Sequence, residues 1–244
     1  MHLYRASFII ELNQTCNWSF MMKYLFLLFT FALLAGCETT SPTLQTGANA
    51  EITFDGLHRV DGTYMQYAWL KPNLSLAAYT KIRLVNAGIE YREVKPASRN
   101  TSVNASRSEF PLTEKKKGRL ESLLREVFLE ELGKSKHFTL VSEPGPDVLT
   151  LTGGLLDVVS AIPPESAGRN DFYVSNIGSA KLVLELQDSR SNEILARALD
   201  GRNAQPLSMQ KSSPGTNAQE VRREFRKWGK RLTAALDLLH EGQP

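Results

Sequence analysis

The chain has 244 residues, 42% of them hydrophobic and 23% charged, with a formal net charge of +3. That is the composition of a folded protein and excludes the disordered and fibrous classes. So slight a positive balance gives no support to nucleic-acid binding, which usually shows a strongly basic patch or stripe.

The first informative segment is the apolar run from Tyr24 to Gly36, preceded by Lys23 and closed by Cys37. One positive charge, about a dozen apolar residues and a small-residue exit make a secretory signal. The run is well short of the ~20 residues that span a bilayer. Leu34, Ala35 and Gly36 before Cys37 resemble the lipobox of bacterial lipoproteins. The resemblance implies cleavage ahead of Cys37, two acyl tails on its thiol and usually a third on the freed amine. The domain would then be held to the membrane through Cys37, and Glu38 in place of an aspartate implies the outer membrane, with the domain facing the periplasm. Arg5, Glu11 and Cys16 fit a compact signal badly, so translation is expected to start at Met21 or Met22.

The mature chain from Cys37 would carry 27 basic and 25 acidic residues, a net charge of +2. With Cys16 removed and Cys37 acylated, neither a disulfide nor a free thiol remains. Residues 38–50 are rich in Thr and Ser, contain Pro42 and Gly47 and lack an apolar period, so residues 37–50 read as a lipidated cysteine with a flexible tether. Such a tether has an end-to-end distance of roughly 20 Å. Residues 51–244 read as a single domain.

Within that domain, Glu51 to Leu57 and Tyr64 to Leu70 are candidate short strands, and Lys81 to Tyr91 is a strand. Pro96 to Ser108 reads as a loop. Thr113 can cap a helix with apolar positions Leu120, Leu123, Leu124, Val127, Phe128 and Leu132, stopped by Gly133. Phe138 to Val141 is a short strand, Glu143 to Asp147 a rigid turn, and Val148 to Val159 a long strand in which Gly153-Gly154 suggests a bulge or bend. A proline- and glycine-containing loop over Ile162 to Phe172 follows. Ala180, Leu182, Leu184 and Leu186 then alternate with polar residues, and a turn at Asp188 to Asn192 returns the chain through Ile194 to Leu199 as a hairpin. Gln205 to Thr216 reads as a loop, and Val221, Phe225, Trp228, Leu232, Leu236 and Leu239 form the apolar stripe of a last helix. The fold expected is α+β, a mostly antiparallel sheet with two amphipathic helices packed on one face.

Few residues offer chemistry. No nucleophile elbow, phosphate loop, zinc motif or paired cysteines occur, and His2, His58, His137 and His240 are scattered, so no metal, cofactor or catalytic residue is expected. Gly153-Gly154 in a strand reads as structural rather than as a phosphate cradle. Asp157 and Asp188 lie near the ends of expected neighbouring strands and could converge as a carboxylate pair, although acidic residues there more often finish a turn or face solvent. Arg222, Arg223, Arg226, Lys227, Lys230 and Arg231 line the polar side of the last helix, either as a solvated face or as a contact with anionic headgroups. Tyr64, Tyr67, Trp69 and Tyr79 read as core anchors of an irregular segment or as a partner surface.

Tyr67-Ala68-Trp69-Leu70-Lys71-Pro72 with Leu76-Ala77-Ala78-Tyr79, the turn from Glu143 to Leu149, and Leu186-Gln187-Asp188-Ser189 resemble a family of bacterial lipoproteins known only as a domain of unknown function, number thirty-three thirteen. The resemblance covers roughly Phe54 to Leu239 and brings no catalytic residues. The leading reading is a non-enzymatic lipoprotein that binds other cell-envelope components. Second comes a module for a small or lipidic ligand held under the Tyr64 to Tyr79 segment, and last a hydrolase built on Asp157 and Asp188.

Overall fold

The computed structural model describes residues 41–94, 109–163 and 173–242. Among the described residues ten strands and two helices follow in the order β1 (Thr43–Leu44), β2 (His58–Asp61), β3 (Tyr67–Leu70), β4 (Lys81–Tyr91), α1 (Glu114–Leu132), β5 (Thr139–Leu140), β6 (Val148–Ser160), β7 (Tyr173–Val174), β8 (Gly178–Asp188), β9 (Ile194–Ala204), β10 (Gln210–Lys211) and α2 (Pro214–His240). Eight strands form one sheet in the order β1-β2-β3-β9-β8-β6-β4-β5, and β10 pairs with β7 separately. All pairings are antiparallel except β4 with β5 and β4 with β6. The parallel pairs are a direct consequence of α1, which carries the chain across one face between β4 and β5.

Alternation decides which face each strand residue takes. Leu182, Leu184 and Leu186 of β8 are buried beside Leu149, Leu151 and Leu155 of β6, under Val127, Phe128 and Leu132 of α1 and Phe225, Trp228 and Leu236 of α2. Both helices therefore cover the same face. Glu126 meets Arg222, Glu130 meets Arg226, and Ser135 meets Asp237, so the helices run side by side in the same direction. Among the described residues no helix is long and apolar enough to cross a membrane.

The uncovered face is polar. Arg197 bridges Asp55 and Glu185 at 2.7 Å each, and Arg83 Nε donates to Thr150 Oγ1 at 2.9 Å. Tyr67 and Trp69, two residues apart on β3, stack with ring centroids 5.9 Å apart, and the Arg59 guanidinium lies 4.4 Å from the Tyr67 ring.

Several local readings need correction. The tether does not extend to Ala50: Thr43 and Leu44 pair with Asp61 and Val60, and the Gln45 side chain donates to Asp61 at 2.9 Å. Backbone pairing needs no apolar period, so the segment looked like linker. The strand near Glu51 lies later, at His58–Asp61, with Ile52 making a single bridge back to His58. The bulge beside Gly153-Gly154 belongs to the neighbouring strand, where Asn86 pairs with Gly153 and Gly88 with Gly154, leaving Ala87 extra. A Cβ on Gly154 would stand 2.9 Å from the Gly88 carbonyl, so the glycine admits its neighbour's bulge. β6 has its own extra residue near Asp157, whose φ of 57° is left-handed. α2 starts at Pro214, two turns before Val221, because Ser213 and Thr216 form a reciprocal capping box within the expected loop. The expected loop over 96–108, and residues 164–172 of the loop expected over 162–172, lie outside the described residues.

Candidate binding cleft

The helices touch through their C-terminal halves, where Gly229 meets Glu131 and Thr233 Oγ1 donates to the Glu131 carbonyl at 3.1 Å. Between their N-terminal halves a cleft of about 830 Å³ remains. Its floor is the sheet, with Leu155 and Val158 of β6 and Ala180 of β8. One wall is Leu120 and Leu123 of α1, and the other is Val221, Phe225 and Trp228 of α2. A half-open, mostly apolar cleft of this size falls in the range that holds small molecules. It does not lie under the Tyr64 to Tyr79 segment, where a ligand site was expected.

The cleft is built on a buried polar post. Trp228, 1% exposed, donates from Nε1 to Asp200 Oδ2 at 2.8 Å, and the same carboxylate accepts from Arg202 Nε at 2.8 Å and the Gln66 amide at 3.2 Å. One acidic side chain thus ties the α2 wall to β9 and to the turn before β3. At the rim, Asn217 donates from Nδ2 to Ser212 Oγ at 2.9 Å, while its Oδ1 is shut from solvent without a hydrogen-bond partner among the described residues.

The expected site residues are placed as follows. Leu34, Ala35, Gly36 and Cys37 lie outside the described residues. The basic residues of α2 are engaged with acids. Arg222 lies 2.9 Å from Glu126, Arg223 lies 2.6 Å from Glu220, Arg226 lies 3.3 Å from Glu131, Lys227 lies 2.7 Å from Glu224, and Arg231 lies 3.8 Å from Asp200. Lys230 is exposed and makes no ion pair among the described residues. These partners reduce the positive potential that the helix can offer to anionic headgroups.

The cations that the sequence reading passed over are Lys115, Lys116 and Arg119, in the first turns of α1 at the rim of the cleft. Among the described residues none of the three has an ion-pair partner. Their signal was the run Lys115-Lys116-Lys117 straight after a helix cap, where acidic residues are the favourable choice.

Asp157 and Asp188 do not converge. In the β6–β8 pairing Asp188 lies opposite Leu149, whereas Asp157 follows the Leu156–Lys181 pair. They sit at opposite ends, roughly 25 Å apart at ~3.3 Å per residue. Asp157 takes a fork from Arg92 Nε and Nη2, 2.7 Å each, and Lys181 lies 3.1 Å away. Those bonds outweigh burial and hold its carboxyl far below the usual carboxylate range. Asp188 accepts from the Ser191 and Arg190 amides and from the Tyr79 hydroxyl, at 2.7, 2.9 and 2.9 Å. The Ser191 amide leads in lowering its pKa to about 2, against the opposing effect of burial. Burial, followed by the bond to Asp188, pushes the Tyr79 phenol up to about 12.

These shifts predict the acid stability of the fold. A lowered folded-state pKa contributes stability above the ordinary value of 3.8 and loses it as pH falls through about 2. The melting temperature should therefore stay level down to about pH 5 and fall steeply below about pH 4. Asp188→Asn should lower the plateau and flatten that fall. An unchanged acid limb in D188N, followed by circular dichroism, would count against the assignment.

The aromatics divide. Tyr79 packs against the core, Tyr64 is 74% exposed, and Tyr67 and Trp69 stack on the uncovered face. The histidines are not all single: His137 and His240 stack with centroids 4.2 Å apart, although no group of three or more metal-binding side chains occurs among the described residues.

The segments that carried the family resemblance meet at one corner of the sheet. Tyr79 bonds Asp188, Thr80 Oγ1 donates to Asp147 at 2.6 Å, the Gly145 amide donates to Ser189 Oγ at 3.0 Å, and Lys71 pairs with Glu193. These contacts join the segments as a hydrogen-bonded latch. Residues 53–232 match the family model described as protein of unknown function, DUF3313. This chain belongs to that family.

No curated protein matches the chain. Among solved structures it is similar to the PelC dodecamer from Paraburkholderia phytofirmans, at 10% identity and TM-score 0.32, covering 67% of this chain and 96% of that one. It is also similar to protein XCC0632 from Xanthomonas campestris, at 12% identity and TM-score 0.38, covering 71% and 91%. For protein CT253 from Chlamydia trachomatis the figures are 12% identity, TM-score 0.31, and 64% and 99% coverage. Likenesses at this level carry neither function nor residue roles to a DUF3313 chain.

Proposed function

We propose that this DUF3313 protein is a lipoprotein anchored to the outer membrane through acyl chains on Cys37, and that its periplasmic domain acts as a non-enzymatic binding module for another envelope component. The observation that carries the binding half is the cleft between α1 and α2, in which Leu, Val, Phe and Trp side chains provide much of the apolar surface among serines and charged residues. The strongly shifted groups fit the same reading. Asp188 at about 2 and Tyr79 at about 12 are moved away from neutral pH, whereas a general acid or base works best near it. The ligand-binding reading moves with the cleft, from the Tyr64 to Tyr79 segment to the space between the helices.

The anchoring half rests on the Leu34-Ala35-Gly36-Cys37 exit after a short apolar run. Two or three acyl chains give stable attachment where one does not. Cys37→Ser should leave the chain unprocessed, with no acyl mass on its N-terminal peptide. Mass spectrometry of the fractionated envelope reads the outcome directly. A wild-type chain recovered with Cys37 internal and unmodified overturns the anchoring.

A further inference from the structure

We propose that the cleft between α1 and α2 takes the acyl chain of a single-chain anionic amphiphile, with its carboxylate or phosphate headgroup held by Lys115, Lys116 and Arg119. This rests on the reading of the domain as a binding module and names the chemistry of its occupant.

The first observation is the division of polarity within the cleft. Its floor and walls are predominantly apolar, from Leu155 and Val158 below to Leu123 and Phe225 at the sides, with Ser160, Ser179 and the Asp200-bound Arg202 among them, while the unpaired cations gather at the end formed by the first turns of α1. A chain buried on the floor and an anion at that end match this division. Two lining carboxylates do not cancel the charge at the rim, since Glu126 is paired with Arg222 and Glu224 with Lys227.

The second observation is that α1 departs from what a helix start favours. Cations in the first turn oppose the helix dipole, each by roughly 0.3–1 kcal/mol. Glu114 is the only acidic residue of that turn, and its partner is Lys117 rather than any of the three rim cations. Gly118 stands between them, although a Cβ there would meet nothing within 4 Å. Packing does not ask for this glycine, and helix propensity opposes it. Residues that break local rules without a packing reason mark functional positions, and an anion at the rim supplies the reason here. Asn217 on the facing wall keeps an unused acceptor, suited to a headgroup hydroxyl or protonated oxygen.

Access fits as well. Tyr173 is 62% exposed, Leu207 97% and Met209 68%, in the segments that lead into the lining residues Ile177 and Ser212. Exposed apolar side chains next to an apolar cleft give an amphiphile a landing surface.

The test uses the mature chain from Cys37, whose tryptophans are Trp69 and Trp228, exchanged into amphipol, with a dibrominated stearate as probe, because bromine quenches tryptophan on contact. Trp228 lines the cleft, whereas Trp69 lies on the opposite face of the sheet. Saturable quenching is expected, and it should disappear in Trp228→Phe. Ala218→Phe fills the mouth from an exposed helix position and should abolish quenching with Trp228 intact and the melting temperature unchanged. The triple variant K115E/K116E/R119E should weaken stearate binding by about tenfold or more, equivalent to ~1.4 kcal/mol. Binding of the uncharged dibrominated stearyl alcohol should stay the same. A lysophosphatidate probe then separates phosphate from carboxylate heads. Quenching that persists in W228F, fails to saturate, or falls equally for acid and alcohol overturns the proposal. Crosslinking of Gly118→Cys to a polypeptide in place of any quenching overturns this occupant but leaves the binding reading standing. A cleft that takes neither overturns both.

Discussion

Asp200→Ala is expected to cost about 3 kcal/mol of stability, the largest single effect of a polar substitution in this protein. Asp200 is 5% exposed, and its two oxygens serve Trp228, Arg202 and Gln66. Alanine would leave the indole N–H and the Gln66 amide without an acceptor in a place where water replaces them poorly. Arg202 is less constrained, because its partly exposed side chain can turn outward. For a domain of this size the melting temperature should fall by roughly 6–12 °C. Asp200→Asn keeps an acceptor oxygen and should lose about half as much. Thermal unfolding followed by Trp fluorescence reports both stability and the Trp228 environment. Equal losses for alanine and asparagine would show that the charge, not the acceptor, carries the effect.

Gly229→Ala is the second, at about 2–3 kcal/mol. A Cβ there would stand 2.8 Å from Glu131 Cβ and 2.9 Å from Cγ. Glu131 cannot swing away, since it is 1% exposed and its carboxylate is held by Lys134 at 2.8 Å and Arg226 at 3.3 Å. The two helices must part, and the contact that closes the base of the cleft opens. The same substitution at Gly118 should have the opposite sign, a gain of up to ~1 kcal/mol from helix propensity, because nothing lies within 4 Å of its Cβ. Urea unfolding of the two variants makes the comparison. A destabilised G118A or a neutral G229A would show that the helix pair is not arranged as described.

What could be read from the chain alone depended on whether a feature was periodic. The alternation of Ala180, Leu182, Leu184 and Leu186 identified β8, and Thr113 with the Leu120 to Leu132 spacing identified α1. β9 runs on to Ala204, past the expected end at Leu199, because Gly201 and Asn203 carry no strand propensity and are paired by the backbone of β8. The first turns of α2 hid behind Pro214 and Gly215, although the Ser213–Thr216 cap was there to be recognised. The cleft had no sequence signature at all, since it is assembled from α1, α2, β6 and β8 at wide separations. The density of basic residues on α2 drew attention away from α1, yet density does not reveal pairing. Each acid that neutralises Arg222 or Arg226 comes from α1, about a hundred positions earlier in the chain.

The docking of β1 onto β2 alters how the protein would behave at a membrane. With Cys37 acylated as proposed, residues 38–42 separate the anchor from Thr43, the first paired residue among those described. The six steps from Cys37 to Thr43, drawn fully straight, reach no more than about 22 Å. On the proposed anchoring, such a leash would be too short for the domain to sample the depth of the periplasm, and the β1 edge of the sheet would stay near the headgroups. Encounters with a ligand would then become a lateral search, and an amphiphile already in the leaflet is the molecule such a leash would keep within reach.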